Sequence, residues 1–417
     1  MYEKRLIAML ENGFRQGAVE ITFPSGKTHR FGDNSEPIAR LRLTDPAAVK
    51  AAWSDPALQF AELYMHERLV VEQGDMYDFM ALAKQNGAKG FITVPAAARE
   101  IARRLHRRLR RHVFTETAKR NVAHHYDLDE KLFRLFLDED LQYSCAYFEN
   151  GDETLEQAQL KKKRHIAAKM QMATGQRVLD IGCGWGGMGL YLAQNTDAVV
   201  TGVTLSEEQH RVANNRADAL GLSAKFHLQD YRTVTGPFDR IVSVGMFEHV
   251  GPQHYDEYFK TIRQVLADDG VALIHSIVRA KPNSSDPPFV EKYIFPNGHI
   301  PALSEVMPSI ERAGLLVKDV EILTYHYADT LREWRKRFHA NKDAVIGLYD
   351  EVFFRMWDLY LIASEISFRH GKLANFQIQL TRRQAEGPRN RSYIQATEAA
   401  LQERENQNAA SKTSSRR

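Results

Sequence analysis

A buried strand that runs directly into a glycine turn constrains this chain more than any other feature. The apolar residues Val178, Leu179 and Ile181 precede glycines at positions 182, 184 and 186. Glycine has no Cβ atom, so the backbone can turn sharply and lie against a ligand while the next helix points its positive N-terminus inward. The segment therefore predicts a crevice for a nucleoside, although a tight strand-to-helix connection without a ligand has the same pattern.

The spacing of Gly182, Gly184 and Gly186 indicates which class of nucleoside ligand the turn binds. A dinucleotide-binding turn reads Gly-x-Gly-x-x-Gly, whereas here the glycines alternate and Asp180 stands two residues before the first. This arrangement resembles that of S-adenosylmethionine (SAM) methyltransferases. Asp180 is placed to take hydrogen bonds at the turn, and the glycines would let the methionine part of SAM approach the backbone.

Strands and helices alternate around this turn. Apolar runs predict strands at Val199–Thr204, Arg240–Val244 and Val271–Val278. We therefore predict an α/β fold: a doubly wound, Rossmann-like sheet of the SAM-methyltransferase kind, with a smaller N-terminal α+β domain. Ligands of such sheets bind at the carboxyl ends of the strands, where the predicted site segments fall.

The length of 417 residues exceeds one ordinary domain. We predict an accessory or lipid-handling domain at 1–95, a basic linker helix at 96–120, a catalytic domain at 121–387 and a polar tail at 388–417. The tail is expected to hold a helix through residues 399–401 and to be disordered from Ser411 onward.

Turn and cap signals place the elements of the N-terminal domain. Val19–Phe23 alternates like a strand, and Pro24–Gly26 supplies the turn of a hairpin. The steps Asp45-Pro46 and Asp55-Pro56 each put an acid where a helix can be capped, so helices are predicted to fill residues 46–86.

Composition excludes several classes of protein. No apolar run approaches a membrane span and the first residues lack a signal-peptide pattern, so a cytoplasmic location is expected. Cys145 and Cys183 are the two cysteines, which argues against a disulfide framework, and no metal site is predicted. No recognisable nucleic-acid module is present, and a homodimer is left open.

The net charge of +3 is small, but seven arginines lie between Arg99 and Arg111. They flank an apolar stripe of Ile101, Leu105 and Leu109, spaced four residues apart. Such a helix can lie on the anionic inner face of a membrane, or it can be a solvated connection between domains. The sequence leaves both interpretations open.

Motifs along nearly the whole chain, taken in order, resemble the cyclopropane fatty-acyl-phospholipid synthase family. The matching segments are His125–Asp127, Leu135–Asp138, Tyr143–Phe148, the glycine turn, Gly202–Ser206 with Gln209, Gly245–Gly251, Lys292–Pro296, and Tyr327 with Thr330, Leu331 and Trp334. The resemblance implies transfer of a methylene group from SAM to a cis double bond of a phospholipid acyl chain in the membrane.

The resemblance also assigns a cofactor pocket. Thr204 stands at the end of the next strand, where many nucleoside-binding folds offer an acid to the ribose. By family resemblance Thr204, Leu205 and Gln209 would line the nucleoside pocket with Tyr143 and Ser144. Asp230 and Tyr231 are candidates for the adenine edge, or parts of an ordinary loop.

Methylation of an alkene leaves a carbocation, so water must be excluded and a base must remove a proton before the ring closes. In the resembled family this base is a bound bicarbonate. The residues that would hold it correspond here to Cys145, Glu248, His275, Ile277 and Tyr327.

Two departures from the family pattern bear on the product. Asp129–Phe133 replaces the family's Gly-Asn-Asp-Phe-Tyr and would reshape the substrate mouth, and Ser364 stands where the family carries cysteine. Two alternatives remain: the same cation losing a different proton, to give a methyl-branched or methylene-branched acyl chain, and a lipid-binding protein with a vestigial SAM fold.

Overall fold

The computed structural model describes residues 1–87, 91, 93–110, 129–282, 287–296, 298–384 and 388–414, with the backbone alone for 104–110 and 412–414. Its contacts divide the chain into two compact units. The first contains residues 1–121, 285–297 and 331–372, and the second contains 122–284, 298–330 and 373–417. The sequence predicted a continuous catalytic stretch over 121–387, but two inserted segments of that stretch group with the N-terminal residues instead.

The helices, with short 3-10 turns left unlabelled, are α1 (Tyr2–Gly13), α2 (Pro46–Ser54), α3 (Pro56–Met65), α4 (Met76–Asn86), α5 (Val94–Arg110), α6 (Glu130–Arg134), α7 (Leu155–Lys169), α8 (Gly187–Thr196), α9 (Glu207–Leu220), α10 (Tyr255–Val265), α11 (Pro288–Tyr293), α12 (Leu303–Arg312), α13 (His326–Ala340), α14 (Lys342–Leu348), α15 (Glu351–Arg369) and α16 (Ser392–Ser414). The strands are β1 (Ala18–Thr22), β2 (Thr28–Gly32), β3 (Pro37–Leu43), β4 (Leu69–Gln73), β5 (Arg177–Ile181), β6 (Val199–Thr204), β7 (Ala224–Leu228), β8 (Phe238–Val244), β9 (Leu266–Arg279), β10 (Leu316–Leu323) and β11 (Leu373–Thr381).

The first unit contains a four-stranded sheet in the order β2-β1-β3-β4. The predicted hairpin is confirmed, because β1 pairs antiparallel with β2. Asp45 caps α2 as expected, accepting hydrogen bonds from the backbone of Ala47 and Ala48. Asp55 makes no side-chain cap, since its carboxylate pairs with Arg103 instead. Strand β4 interrupts the helices predicted over 46–86, because this short apolar run adds an edge to the sheet.

The second unit contains a seven-stranded sheet in the order β10-β11-β9-β8-β5-β6-β7. The strands from β9 to β7 are parallel to one another, and β11 runs antiparallel to both of its neighbours. Alternate residues of β5 enter two cores: Leu179 and Ile181 pack with α10, whereas Val178 packs with α7 and α8. The predicted doubly wound α/β fold is confirmed.

The predicted polar tail holds a longer helix than expected. Helix α16 includes residues 399–401 and Ser411, and residues 415–417 lie outside the described part. Leu401 is buried in the core beside α7 and α8, and Glu405 pairs with Arg164. Packing of Leu401 therefore orders a segment that its composition alone would leave free. No helix in the described ranges is both long and apolar enough to span a bilayer.

Candidate active site

The turn after β5 contains three glycines with positive φ: Gly182 at 74°, Gly184 at 54° and Gly186 at 85°. A Cβ atom on Gly182 would lie 2.6 Å from the Met246 side chain, and one on Gly186 would lie 2.9 Å from Ala213. No described atom lies within 4 Å of a Cβ atom built on Gly184. Gly182 and Gly186 therefore allow close packing within the protein, whereas Gly184 faces open space that a ligand can fill.

Asp180 lies on β5 just before this turn, and its side chain is buried. Its Oδ2 atom accepts no hydrogen bond from any described group. Burial raises the pKa of Asp180 to about 7, although the backbone N–H of Gly189 and the charge of Lys162 act to lower it. A buried carboxylate oxygen without a donor costs free energy, so this residue is suited to a donor that a ligand brings.

The carboxyl end of β6 meets the turn directly, because the backbone N–H groups of Gly182 and Cys183 both donate to the carbonyl of Val203. Thr204 Oγ1 donates to Gln209 Oε1 at 2.9 Å, and both side chains are buried. The structure thus brings these two predicted residues together beside the turn.

Leu205 follows Thr204 and is 48% exposed, so an apolar side chain stands at the surface of this edge of the sheet. A nucleoside base needs an apolar surface of this kind. The part of Leu205 in a nucleoside pocket stays a prediction.

Asp230 and Tyr231 follow β7 along the same edge of the sheet. The carboxylate of Asp230 accepts hydrogen bonds from the backbone and Nε of Arg232, each at 3.0 Å. The ring of Tyr231 packs edge-on against Tyr258, with 5.5 Å between centroids, and burial raises its pKa. An adenine amino group would share the Asp230 carboxylate with Arg232, a partner that the sequence did not predict.

Tyr143 is connected to the turn through aromatic packing, and Ser144 is held by a hydrogen bond from α7. The ring of Tyr143 lies edge-on to Phe133 at 5.1 Å, and Phe133 packs on Trp185 at 5.8 Å between centroids. Ser144 is buried, and its carbonyl accepts from Gln159 Nε2 at 3.0 Å. Phe133 belongs to the segment that departs from the family pattern, so this departure retains an aromatic contact with the turn.

Cys145 is a buried thiol that donates to the carbonyl of Ala146 at 3.3 Å. Burial raises its pKa, and nearby Asp329 raises it further, so the thiol is neutral. The backbone N–H of Ala146 donates to Thr330 Oγ1 at 3.0 Å. Cys145 can therefore contribute a weak donor to a bound anion but has the wrong environment for a thiolate nucleophile.

The first turn of α13 also forms hydrogen bonds with the segment that contains Cys145. The backbone N–H of Phe148 donates to His326 Nδ1 at 3.0 Å, and Thr330 Oγ1 donates to the carbonyl of His326 at 2.7 Å. Tyr327 lies half-buried in this turn. Thr330 and His326 therefore place Tyr327 on an element that is bonded to the Cys145 segment.

Glu248 lies in a 3-10 turn that follows β8. Its Oε1 accepts from the backbone N–H of Ile277 at 2.7 Å, and its buried Oε2 has no partner within the described ranges. Burial raises the pKa of Glu248, although the Ile277 N–H acts to lower it. A protonated Glu248 could donate its Oε2 hydrogen to an anion, as an ionised one could not.

His275 is buried on β9 between two amides of β11. Its Nδ1 lies 3.2 Å from Gln377 Nε2, and its Nε2 lies 3.5 Å from Asn375 Nδ2. Burial lowers the pKa of His275 to about 3, and Lys162 lowers it further, so the ring is neutral with one N–H. The buried amide oxygens of both neighbours lack partners among the described groups, so turning one amide would let its oxygen accept that N–H.

A polar cluster that the sequence did not predict connects these elements. Lys162 Nζ donates to Ser144 Oγ at 2.9 Å, and its charge affects Cys145, Asp180 and His275. Arg216 Nη1 donates to the carbonyl of Trp185 at 2.7 Å. Lys162 belongs to the run Lys161–Lys163, which by composition is typical of a solvated helix face, so no sequence signal showed that Lys162 and Lys163 are buried.

Some residues used in the comparison with the family pattern lie in the first unit or outside the described residues. Lys292 Nζ and the Tyr293 hydroxyl both donate to Glu62 Oε1 in the first unit, at 2.6 and 3.0 Å. Ser364 is half-buried on α15 of that unit. His125–Asp127 lie outside the described residues.

Comparison with protein families gives two matches. The family described as mycolic acid cyclopropane synthetase matches residues 114–378, and a domain of unknown function matches residues 6–93. Together these matches cover most of both units.

Individual relatives agree with the first match. The chain is 43% identical over 258 residues to the cyclopropane-fatty-acyl-phospholipid synthase of Escherichia coli K12, an alignment that covers 62% of this chain and 66% of that synthase. It is 39% identical over 276 residues to a probable fatty acid methyltransferase of Pseudomonas putida, covering 64% and 70%. The solved mycolic acid cyclopropane synthase CmaA1, complexed with SAH and CTAB, has a TM-score of 0.60 and 34% identity, covering 63% of this chain and 97% of that one.

Proposed function

We propose that this chain, which belongs to the mycolic acid cyclopropane synthetase family, transfers a methylene group from SAM to a cis double bond of an unsaturated phospholipid acyl chain. The product would be a cyclopropane ring. The observation that carries this proposal is the open Gly184 position beside the unpartnered Asp180 oxygen, in a chain 43% identical to a cyclopropane-fatty-acyl-phospholipid synthase.

The residues around the turn fit SAM. Gly184 leaves room for the ligand against the backbone, and Asp180 offers an acceptor to a cationic or N–H group. Thr204, Leu205 and Gln209, with Tyr143 and Ser144, would surround the nucleoside, and Asp230 and Tyr231 would meet the adenine edge. When bound, SAM supplies an electrophilic methyl group.

The chain's own contribution to the reaction is alignment and exclusion of water. An alkene is a weak nucleophile, so holding it against the methyl group must supply much of the rate. The segment that carries Cys145 is buried and held by α13 through Thr330 and His326, which suits a site where a carbocation must not meet water.

We propose further that Cys145, Glu248, His275, Ile277 and Tyr327 hold bicarbonate. The fit rests on the buried Glu248 Oε2, which lacks a partner in the described structure and, when protonated, can donate to an anion. The Ile277 N–H is engaged by Glu248 and therefore orients the carboxyl group. When bound, bicarbonate supplies the base that takes a proton from the added methyl group.

Mass spectrometry of phospholipids tests the activity. A host without cyclopropane lipids, expressing this chain, should accumulate acyl chains that are 14 mass units heavier than their unsaturated precursors and contain no double bond. Ozonolysis separates the products, since a methylene-branched chain is cleaved and a cyclopropane is not. Lipids unchanged in mass would contradict the proposal and favour a vestigial SAM fold, and a branched product would favour the methyltransferase alternative suggested by the Pseudomonas putida relative.

Glu248→Leu tests the anion site. The apolar side chain keeps a similar size but removes the donor at Oε2, so turnover should fall by about a hundredfold, as for loss of one charge-stabilising donor, while affinity for SAM stays within twofold. The matched control is Ser364→Ala, which should retain most activity because bicarbonate chemistry needs no covalent intermediate at that position.

Both variants and the unsubstituted enzyme are assayed in bicarbonate-depleted buffer and again after the ion is restored. Activity of the unsubstituted enzyme should depend on the ion. Full activity without bicarbonate, or loss of activity in Ser364→Ala, would contradict the assignment.

We also propose that the enzyme works at the inner face of a membrane, with α5 on the lipid surface. Ile101 and Val94 on this helix are 60% and 86% exposed, so both apolar side chains are available to a lipid surface. Arg103 is ion-paired with buried Asp55, so it belongs to the fold of the first unit and not to a free cationic face.

Vesicle binding tests this location. Replacing Arg104, Arg107 and Arg108 with glutamine, and leaving Arg103 intact, should weaken co-sedimentation with anionic vesicles by at least about tenfold at low salt. Replacing the exposed residues Lys27, Lys225 and Lys318 removes the same number of charges and should have little effect. Equal losses in the two variants would show general charge attraction, not docking of α5.

A further inference from the structure

Lys162, in the middle of α7, is a lysine whose side chain is almost completely buried, with 1% relative exposure. Its Nζ donates to Ser144 Oγ at 2.9 Å and to Gln142 Oε1, and both acceptors are neutral. Within the described chain Lys162 has no ion-pair partner, whereas the neighbouring lysines of α7 at positions 161, 163 and 169 all pair with carboxylates. A buried ammonium without an adjacent carboxylate costs several kcal/mol, so the fold alone gives little reason to retain it.

We propose that Lys162 is a positioning residue for SAM binding that acts through the hydroxyl group of Ser144. This inference rests on the proposed function, which puts Ser144 in the cofactor pocket. An ammonium group can only donate, so Ser144 Oγ accepts from Lys162 and directs its own proton to a different acceptor. The anionic part of SAM is its methionine carboxylate, which matches a hydroxyl donor backed by a positive charge.

The charge of Lys162 also reaches three predicted site residues on different elements. It lowers the pKa of Asp180 before the glycine turn, of Cys145 in the segment before α7, and of His275 on β9. A lysine that served only the packing of α7 would not need to lie among all three. Its charge therefore acts on residues of three different elements of the proposed site.

Several ionisable groups face Lys162 and affect its own titration. They are Asp138, Asp140 and Cys145 before α7, Lys163 on α7, Asp180 on β5 and His275 on β9. Burial lowers the pKa of Lys162 to about 8, against the raising effect of Asp138 and Asp140. The side chain is therefore charged at neutral pH and loses its charge in mildly alkaline solution.

The test is calorimetric titration of the full-length chain with SAM between pH 6.5 and 9.5. Lys162→Met keeps the length of the side chain but removes its charge and donors, so affinity should fall about tenfold at pH 6.5. The ratio of the two dissociation constants should approach one by pH 9.5, because Lys162 of the unsubstituted protein is then neutral. The amino group of SAM titrates in the same range, but it does so with both proteins and cancels in the ratio.

Lys161→Met is the matched control. Lys161 is adjacent on α7 but pairs with Glu149 and Glu153, so this variant should bind SAM as the unsubstituted protein does. Ser144→Ala should weaken binding, and adding Lys162→Met to it should cost little more, because the two residues act in series. Additive losses would overturn the proposal.

An affinity for Lys162→Met within twofold of the unsubstituted protein at pH 6.5, or a ratio that does not change with pH, would also overturn it. If Lys162→Met fails to fold, Lys162→Arg decides, because arginine stays charged and the unsubstituted protein should weaken relative to it above about pH 8. Binding is read without turnover, so an unexpected lipid product would refute the proposed function but leave this result standing.

Discussion

Asp358 in the first unit and the carboxylates of Asp180 and Glu248 in the second unit have opposite environments. In the first unit Asp358 is 1% exposed and accepts from Arg335 Nε and His339 Nε2, each at 2.7 Å, and these partners hold its pKa below the ordinary range. In the second unit Asp180 is buried and Glu248 is half-buried. Each has one buried oxygen without a partner among the described groups, and burial raises the pKa of both. The first arrangement stabilises a fold, whereas the second leaves hydrogen-bonding capacity for ligands.

Asp358→Asn should give the largest loss of stability. It leaves the half-buried Arg335 with Asp75 as its remaining carboxylate partner, so the free energy of unfolding should fall by about 3 kcal/mol, the lower end for breaking a buried pair. The contribution of Asp358 is present above the unfolded pKa of about 3.9 and is lost as pH falls through its lower folded value. In urea titrations from pH 7 to pH 3, the difference in unfolding free energy between the two proteins should become smaller. A difference that grows in acid would contradict this account.

Gly184→Val should reduce SAM affinity by at least about a hundredfold, since its side chain enters the space assigned to the ligand and a branched residue at positive φ is strained by about 1–2 kcal/mol. The matched control is Gly221→Val. Gly221 also has positive φ, at 62°, and no described atom lies within 4 Å of its added Cβ, but it ends α9 on the surface. The free energy of unfolding should fall by a similar amount in both variants, and only Gly184→Val should lose affinity for SAM. Unchanged affinity in a folded Gly184→Val would refute the cofactor assignment.

Local patterns predicted the glycine turn and the strands that follow it, although β8 and β9 begin earlier than the apolar runs indicated. Thr204 and Gln209 follow a strand by fixed spacing, so their contact could be expected from position alone. The grouping of residues 331–372 with the N-terminal unit could not, because it depends on pairings such as Arg335 with Asp75, which are distant in sequence.

Local sequence patterns also could not predict whether an acid caps its helix or which charged side chains are buried. Asp55 has a good capping sequence, but its carboxylate binds Arg103. Lys162 lies in a run of three lysines, and tertiary packing buries Lys162 and Lys163 but leaves Lys161 half-buried. Sequence therefore predicts where the site lies better than it predicts which charges support it.

The contrast between the two units is tested most directly by Asp180→Asn, measured for unfolding free energy across pH and for SAM affinity. The folded pKa of Asp180, about 7, exceeds its unfolded value, so its charge costs stability as pH rises from about 4 to 7, by at most about 4 kcal/mol. Relative to the unsubstituted protein, Asp180→Asn should therefore gain stability over that range, opposite in sign to Asp358→Asn, and should bind SAM at least about tenfold more weakly. Loss of stability at pH 7 together with unchanged SAM affinity would show that Asp180 serves the fold, and would contradict the account.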